Sequence, residues 1–195
     1  MRPGSAYDSF ADPYCYKGSF VLKNRAGLRD AALLEAFELE MTALRAEEPL
    51  PGGRFGSRHY RAIHRHLFQD VYRWAGRYRT VRTAKDGATF CYPEHIAEQM
   101  EILFARLISG PLSGGADRAA FVAAAARFIG ELNAIHPFRE GNGRTQLTFL
   151  FLVGERAGHP FDMAAIRPKR MLAAAIGSFY GDLSALEEEI GWICR

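Results

Sequence analysis

Apolar residues recur every three to four positions along most of the chain, and this spacing predicts an all-α fold. Asp30 and Asp117 are predicted N-caps of two helices, because an aspartate side chain can accept hydrogen bonds from first-turn amides. Ser57 is predicted to cap another helix. The apolar stripe after Asp30 is Leu33, Leu34, Phe37, Met41 and Leu44. The other predicted helices span about 58–72, 93–109, 118–135, 145–157, 168–178 and 182–192.

Two of these helices are predicted to form the buried centre of the bundle. Residues 119–126 are apolar nearly all round, which is typical of a helix that is buried on every side. The helix 145–157 is also rich in apolar residues, and Gly158 and Pro160 are expected to end it. The loop between the pair is therefore held by core helices at both ends, as functional loops commonly are.

The segment 78–92 changes from helical spacing to the pattern of a β-hairpin. Residues 78–83 favour a strand, Lys85-Asp86-Gly87 is a turn signal, and 88–91 forms the returning strand. Two strands alone are marginally stable, so a single hairpin is either a connecting ribbon or a functional element. The pattern alone does not decide between these two interpretations.

Composition is that of an ordinary globular domain and adds little about ligands. The 195 residues suit one domain over 1–195, with 48% hydrophobic and 24% charged residues, and 1–17 is predicted to be an irregular arm. A net charge of +3 does not by itself indicate a nucleic acid or membrane partner. The three cysteines lack metal-ligand spacing and are expected to be thiols in a reducing compartment. Met1–Phe10 has no apolar core, so no secretory signal is expected.

The loop between the central helices has the chemistry of a phosphate site. Gly141 and Gly143 allow positive φ and a close approach of ligand to backbone, so their amides can surround an anion. The helix that starts near Arg144 adds its positive end, and the guanidinium suits phosphate oxygens. Glu140 is a hard ligand for Mg2+, and His136 is of the type that accepts protons near neutral pH. Two structural alternatives stay open: His136 as a helix cap, and Glu140 as a partner of Arg144.

This stretch resembles the signature of the Fic family, H-x-F-x-[DE]-G-N-G-R-x-x-R. The matching positions are His136, Phe138, Glu140, Gly141, Asn142, Gly143 and Arg144. The likeness continues in 21–24, 62–76 and 90–94 and covers about Tyr14–Ile190. Leu147 replaces the last arginine of the signature. The resemblance implies the Fic fold, a helical bundle with a small β-hairpin that is called the flap.

The resemblance also implies an activity, the transfer of AMP from ATP to a Ser, Thr or Tyr hydroxyl of a target protein. In that mechanism His136 is the general base, and Glu140 holds Mg2+ at the α- and β-phosphates. The amides around 141–143 and the Asn142 side chain stabilise charge on the α-phosphate, while Arg144 binds the outer phosphates. ATP and Mg2+ are the co-substrate and metal that the resemblance implies.

Further nucleotide contacts are implied in the same way. They are expected from the flap, at Gly87, Ala88, Thr89 and Phe90. The flap is also expected to pair with an extended segment of the target protein by strand addition. Lys23 and Asn24 either lie beside the nucleotide base, as in the family, or form a polar turn that only caps the helix.

Four other side chains are given structural roles. Phe138 is expected to anchor the loop in the core, and Arg139, at a variable position of the signature, is expected to be solvated. His59 is predicted at the surface. His64, next to apolar neighbours, is predicted to be a hydrogen-bonded interior histidine and not a metal ligand.

Leu147 is the departure from the signature that bears on function. The arginine expected there touches the γ-phosphate and pairs with a glutamate of an inhibitory helix, whose signature is [ST]-x-x-x-E-[GN]-N. Leucine allows four interpretations: altered triphosphate binding, escape from that inhibition, a substrate other than ATP, or simple core packing. The chain has no complete inhibitory signature, since Glu189-Ile190 follows 184–188. A separate antitoxin-like inhibitor is therefore one expectation.

Three classes of function stay open. The first is an AMP-transferase that acts on a protein. The second is a Fic-fold enzyme with another donor or transferred group, such as phosphate or phosphocholine. The third is a nucleotide- or protein-binding module that has lost activity through Leu147. Fic proteins include toxins and effectors, so the expected location is the bacterial cytoplasm or a host cell. Related Fic chains often carry further domains, so a native chain that continues beyond 195 is one expectation.

Overall fold

The computed structural model describes residues 12–85 and 88–195, without the side chains of Lys85 and Ala88. The all-α prediction is confirmed over these ranges. The helices are α1 (Ala31–Glu47), α2 (Ser57–Phe68), α3 (Pro93–Ser109), α4 (Arg118–Ile135), α5 (Asn142–Ala157), α6 (Pro168–Phe179) and α7 (Ser184–Ile193). Two short strands, β1 (Ala84–Lys85) and β2 (Ala88–Thr89), pair antiparallel with Ala84 opposite Thr89. Most of the predicted arm 1–17, and Gly87, lie outside the described residues.

Helix starts follow the capping residues of the sequence, with one exception. The side chains of Asp30 and Asp117 accept first-turn amide hydrogen bonds of 2.9 and 2.8 Å, as predicted. Each bond satisfies an amide that has no partner within its helix. The prediction for Ser57 is wrong, because Gly56 holds the cap position of α2 and Ser57 donates to Glu101 instead.

Helices α4 and α5 form the centre of the molecule, as predicted. Buried apolar residues run along α4 and include Phe121, Val122, Ala125, Ala126, Phe128, Ile129 and Leu132. On α5, the centre of the Phe149 ring lies within 6.0 Å of the centres of five other aromatic rings, those of Phe55, His59, Tyr60, Phe104 and Phe128. Helix α2 packs against α1 and α5, while α3, α6 and α7 pack against α4. The loop between α4 and α5 is thus fixed at both ends by the core.

The hairpin is shorter than predicted, and its role as a flap is not confirmed. Beyond the two-residue strands, the Phe90 amide donates to the Thr83 carbonyl at 3.1 Å. The strand predicted over 78–83 is wrong, because β1 begins only at Ala84 and Arg79 in this segment binds the signature loop. The Arg79 amide donates to the Pro137 carbonyl at 2.9 Å.

One predicted apolar stripe is also partly wrong. Leu33 and Leu44 are 59% and 53% exposed, because α1 packs through the side that carries Leu34, Glu38 and Thr42. Two of these three buried residues are polar, so the spacing of apolar residues does not reveal which side of α1 packs against the protein. No helix in the described part of the chain is long and apolar enough to cross a membrane.

Candidate active site

His136 ends α4 in a conformation that is uncommon for a residue with a side chain. Its φ and ψ are 47° and 61°, in the left-handed region, and its amide donates to the Leu132 carbonyl at 3.0 Å. Among the described non-glycine residues, only Phe55 and His136 have a positive φ. The imidazole stacks on Phe90 with ring centres 4.0 Å apart. The backbone of His136 therefore caps α4, while its ring lines the cavity described below.

Phe138 and Asn142 close the loop. The Asn142 side chain accepts from the Phe138 amide at 3.0 Å and donates to the Phe138 carbonyl at 2.8 Å. The Phe138 ring is fully buried against Tyr60 and His64, so its prediction as an anchor is confirmed. Because both of these bonds serve the loop itself, contact of the Asn142 side chain with a phosphate stays a prediction.

Gly141 is required by the shape of the loop. Its φ is +81°, and a Cβ atom at this position would collide with the Phe68 ring. Gly141 is the N-cap of α5, and its carbonyl accepts from the Thr145 amide at 3.1 Å. The helix therefore begins at Asn142, earlier than predicted, with an exposed Gly143 in its first turn. First-turn amides have no partner within their helix, so this end of α5 suits an anion.

Glu140 is the carboxylate that lines the cavity among the described residues. Its side chain accepts from the Gly141 amide at 2.8 Å, and its carbonyl oxygen lies 3.0 Å from Nε2 of His64. Burial, and secondly the Glu38 carboxylate, raise the pKa of Glu140 above its ordinary value. The described residues contain no cluster of three or more His, Cys, Asp or Glu suited to a metal. A lone carboxylate nevertheless fits Mg2+, which commonly keeps several waters and binds together with substrate phosphates.

Arg144 is paired inside the protein and does not line the cavity. Its guanidinium forms an ion pair with Glu38 of α1 and lies 4.8 Å from the centre of the Phe68 ring. Glu38 also accepts a hydrogen bond from the Tyr72 hydroxyl. The structure therefore pairs Arg144 with Glu38 and not with Glu140, and its contact with outer phosphates stays a prediction.

Two side chains that the pattern places in solvent are buried. Arg139 is 9% exposed and forms an ion pair with Asp12 at 2.8 Å. His59 is 6% exposed, and its Nε2 lies 2.7 Å from the Pro51 carbonyl oxygen. In both cases a specific partner compensates the burial of a polar group. The prediction of His64 as a buried, hydrogen-bonded histidine is confirmed.

Lys23 and Asn24 form a polar turn, and neither lines the cavity. The Lys23 ammonium donates to the Pro13 carbonyl at 2.8 Å. The Asn24 side chain donates to the Leu22 and Leu28 carbonyls at 3.0 and 2.7 Å, which closes the turn before α1. These contacts favour the polar-turn interpretation, and contact of either residue with a nucleotide stays a prediction.

One cavity of about 700 Å³ brings the loop residues together. At one end it is bounded by the loop and the hairpin segment, through His136, Glu140, Asn142, Gly143 and Phe90. Much of the remaining wall is apolar and includes Phe20, Leu22, Leu147, Met171, Leu172 and Ile176. A cavity of this size accommodates a small-molecule ligand.

The hairpin contributes less to this cavity than the resemblance implies. Phe90 lines it and is buried, whereas Thr89 is exposed and does not line it. Gly87 and the side chain of Ala88 lie outside the described residues. Contact of Gly87, Ala88 and Thr89 with a nucleotide stays a prediction.

Arg79 is a buried residue of the site that the sequence pattern does not reveal. It is 2% exposed, and its side chain donates to the carbonyls of His136 at 2.8 Å and Val81 at 2.7 Å. The residues around Arg79 have the pattern of a strand, and this pattern does not predict that an arginine side chain is buried. Only the structure shows that it lies against the end of α4.

Comparison with known proteins agrees with this geometry. The profile of the Fic/DOC family matches residues 54–153. The chain is 49% identical over 185 residues to a probable protein adenylyltransferase, y4lH, of Sinorhizobium fredii, with 94% of this chain and 96% of that protein covered. It is 35% identical over 179 residues to the protein adenylyltransferase VbhT of Bartonella schoenbuchensis, with 90% of this chain but 37% of VbhT covered.

The fold matches solved structures over nearly the whole chain. It superposes on the VirB-translocated effector BepC of Bartonella tribocorum, solved with bound AMPPNP, with a TM-score of 0.83 and 27% identity. That match covers 93% of this chain and 96% of BepC. The family match contains the whole loop between α4 and α5, where the described contacts converge. The chain therefore belongs to the Fic/DOC family.

Proposed function

We propose that the protein is a protein adenylyltransferase, which moves AMP from ATP to a Ser, Thr or Tyr hydroxyl of a target protein. The observation that carries the proposal is the convergence of His136, Glu140 and the first turn of α5 on one cavity. A base, a hard anionic ligand and an anion-binding helix end are the groups that this transfer requires. The names of y4lH and VbhT, and the AMPPNP bound to BepC, support the same reaction and donor.

His136 is the proposed general base. It takes the proton of the target hydroxyl while the hydroxyl oxygen forms a bond to the α-phosphorus of ATP. The bond from that phosphorus to the bridging oxygen breaks, and pyrophosphate leaves with the electron pair. Stacking on Phe90 and the turned backbone hold the imidazole at the cavity wall during this step.

The start of α5 is the proposed site for the charge of the α-phosphate. The amides around 141–143 stand at a helix N-terminus, where fixed dipoles stabilise negative charge that grows in the transition state. Glu140 would hold Mg2+ together with the phosphates, and the bound metal would neutralise part of their charge. Because burial favours the neutral form of Glu140, we expect its ionisation and the binding of metal and nucleotide to occur together.

The remaining contacts are proposed on the family resemblance. Lys23, Asn24 and residues 87–90 are proposed to contact the nucleotide, and Arg144 to contact the outer phosphates. The hairpin is proposed to hold an extended segment of the target protein by strand addition, which would bring its hydroxyl to His136.

The direct test uses α-labelled ATP, Mg2+ and lysates of bacterial and eukaryotic cells. The parent protein is compared with His136→Ala and with His95→Ala, which removes an exposed histidine of α3. We expect a labelled target protein with the parent and the control but not with His136→Ala, and ATP binding by all three. Transfer by His136→Ala at the parental rate would exclude His136 as the base. If the parent protein binds ATP but labels no protein in any lysate, the proposal of AMP transfer is rejected.

A second candidate function is transfer from another donor, and the apolar wall of the cavity favours it. Leu147 lines that wall, as do Leu172 and Ile176, and it offers no charge for a γ-phosphate. Mass spectrometry of the modified target separates the candidates. Added AMP supports the first, and added phosphate, phosphocholine or another nucleotide supports the second. Nucleotide binding without turnover of any donor would indicate a binding module.

The location and regulation are also proposals. Since BepC is named a translocated effector, we infer action either in the bacterial cytoplasm or in a host cell. A separate antitoxin-like inhibitor is proposed, because the inhibitory signature is incomplete at 184–188, which lies in α7. There the neighbouring Glu189 pairs with Arg167 and Arg170 of the α6 region, each at 2.8 Å.

A further inference from the structure

Arg79 is a buried cation that the proposed chemistry does not use. It is 2% exposed and lies in the segment between α2 and the hairpin. Burial of a guanidinium is unfavourable unless its N–H groups find acceptors. The positions of these acceptors therefore show which parts of the protein the Arg79 side chain holds together. The acceptors described for this side chain are backbone carbonyls, and they come from two parts of the site.

The first group of acceptors lies in the backbone at His136, the proposed base. The Arg79 side chain donates to the His136 carbonyl at 2.8 Å and to the Ile135 carbonyl at 3.2 Å. These carbonyls belong to the two peptide groups on either side of the His136 α-carbon, so holding both restricts φ and ψ of His136. The Arg79 amide adds a bond of 2.9 Å to the Pro137 carbonyl. A helix C-terminus carries partial negative charge, which favours a cation at this place.

The second group of acceptors lies at the two ends of the hairpin segment. The guanidinium donates to the Val81 carbonyl at 2.7 Å and to the Cys91 carbonyl at 2.5 Å. Val81 precedes β1 and Cys91 follows β2, so Arg79 joins the two ends of the hairpin. Cys91 is also next in the chain to Phe90, whose ring stacks on His136. One side chain therefore connects the hairpin and the histidine.

We propose that Arg79 is a positioning residue: it keeps His136 in its left-handed conformation and fixes the hairpin against it. A left-handed residue with a side chain is strained and persists only where the surrounding structure determines it. The inference rests on the proposed function, in which the histidine and the hairpin act on the same target hydroxyl. Loss of Arg79 should then misplace the base and loosen the hairpin, whereas Glu140 and the α5 amides, which are proposed to hold the phosphates, have no described bond to Arg79.

The test compares Arg79→Lys with the parent protein. Lysine keeps the charge but lacks the planar fork, so it cannot hold carbonyls on both sides. We expect kcat of transfer to fall by about 10- to 100-fold, the scale of loss from a misplacement of roughly 1 Å. The KM for the nucleotide should rise by much less than kcat falls, since the proposed phosphate contacts at Glu140 and the α5 amides are kept. Parental kcat in Arg79→Lys, or a loss that appears only in KM, would overturn the proposal.

Arg77→Lys is the matched control for this experiment. Arg77 lies in the same segment and is exposed, so its replacement should change neither kcat nor KM. An equal fall of kcat in Arg77→Lys would show that the segment as a whole is sensitive, and it would overturn the specific role of Arg79.

A second variant, Arg79→Ala, separates positioning from simple loss of packing. Added methylguanidinium should raise its kcat by a larger factor than it changes the nucleotide KM, because the free cation can occupy the same carbonyl site. Urea has a similar planar shape without the charge, and it should not raise kcat. A folded Arg79→Ala protein whose kcat responds equally to both compounds, or to neither, would contradict the proposal.

A readout without catalysis distinguishes failure of this inference from failure of the proposed function. The imidazole resonances of His136 can be assigned by NMR from their absence in His136→Ala. They should shift in Arg79→Lys and stay in place in Arg77→Lys, even if the protein transfers a group other than AMP. Unchanged His136 resonances in folded Arg79→Lys would refute the positioning role.

Discussion

Mild acid should destabilise the protein through one buried histidine, His64. Its Nδ1 accepts from the Gly76 amide at 2.8 Å, and its Nε2 lies 3.0 Å from the Glu140 carbonyl oxygen. An amide can only donate, so Nδ1 is the acceptor, and the proton of the neutral ring is on Nε2. Protonation would set two N–H groups against each other and would charge a ring packed between Phe68 and Phe138.

The size of the effect follows from the pKa of this ring. Burial lowers the pKa of His64 from 6.5 to about 3. The unfolded chain therefore binds a proton at a higher pH than the folded protein, and stability is lost as the pH falls below 6.5. Between pH 7.5 and pH 5.0 these values correspond to a loss of about 2 kcal/mol in the free energy of unfolding. For a chain of this size, such a loss lowers the melting temperature by about 4–8 °C.

Urea unfolding of the parent and of His64→Phe over this pH range measures the effect. Phenylalanine keeps the aromatic packing but cannot titrate, so the variant should be less stable and should lack most of this pH dependence. The raised pKa of Glu140 acts in the opposite sense, because its ionisation costs stability as the pH rises. Glu140 is present in both proteins, so its contribution largely cancels in the comparison. Equal pH dependence of parent and variant, or an NMR titration of His64 near pH 6.5, would refute the reasoning.

Three substitutions test other parts of the site. Gly141→Ala should cost about 2–4 kcal/mol in urea unfolding, from the strain of positive φ and the collision with a phenyl ring. Gly143→Ala is its control and should stay within about 0.5 kcal/mol, since no atom lies within 4 Å of the added methyl group. Arg139→Ala leaves the buried Asp12 carboxylate without its cation and should lower the free energy of unfolding by about 3–5 kcal/mol. Arg106→Ala, which removes an exposed ion pair with Glu131, should lower it by at most about 1 kcal/mol. Equal losses in the two variants would contradict this prediction. Leu147→Arg should tighten ATP binding by about tenfold in calorimetry, the effect of one charge-assisted hydrogen bond. Unchanged or weaker binding by the folded variant would argue against a role of Leu147 in nucleotide affinity.

The helices and the signature loop could be predicted because they depend on short stretches of sequence. The caps Asp30 and Asp117 lie next to the helices they start, and each satisfies an amide only three positions away. The loop glycines and the buried Phe138 likewise occur within a few residues of one another. Such local agreement between pattern and structure is what makes a fold recognisable from its sequence.

The errors arise from partners that are distant in the sequence. Arg139 is buried because Asp12, 127 positions away, supplies its counter-charge. The segment 78–83 departs from strand geometry because Arg79 binds carbonyls 56 and 57 positions further along the chain. Local spacing carries no information about such pairs, so tertiary contacts override the propensity of the segment.

The arginines around the loop bear on the proposed phosphate site. Arg79 binds backbone carbonyls, Arg139 pairs with Asp12, and Arg144 pairs with Glu38, so each is held by groups of the protein itself. Of these three, only Arg139 lines the cavity. Within the described residues, the start of α5 is therefore the clearest site for an incoming phosphate, and it acts through backbone amides. Amides at a helix start bind any phosphate in reach, so they do not distinguish one nucleotide from another. In the proposed reaction, donor choice would then depend on the apolar wall around Leu147, and substitutions there should change the donor more than the rate of proton transfer to the proposed base, His136.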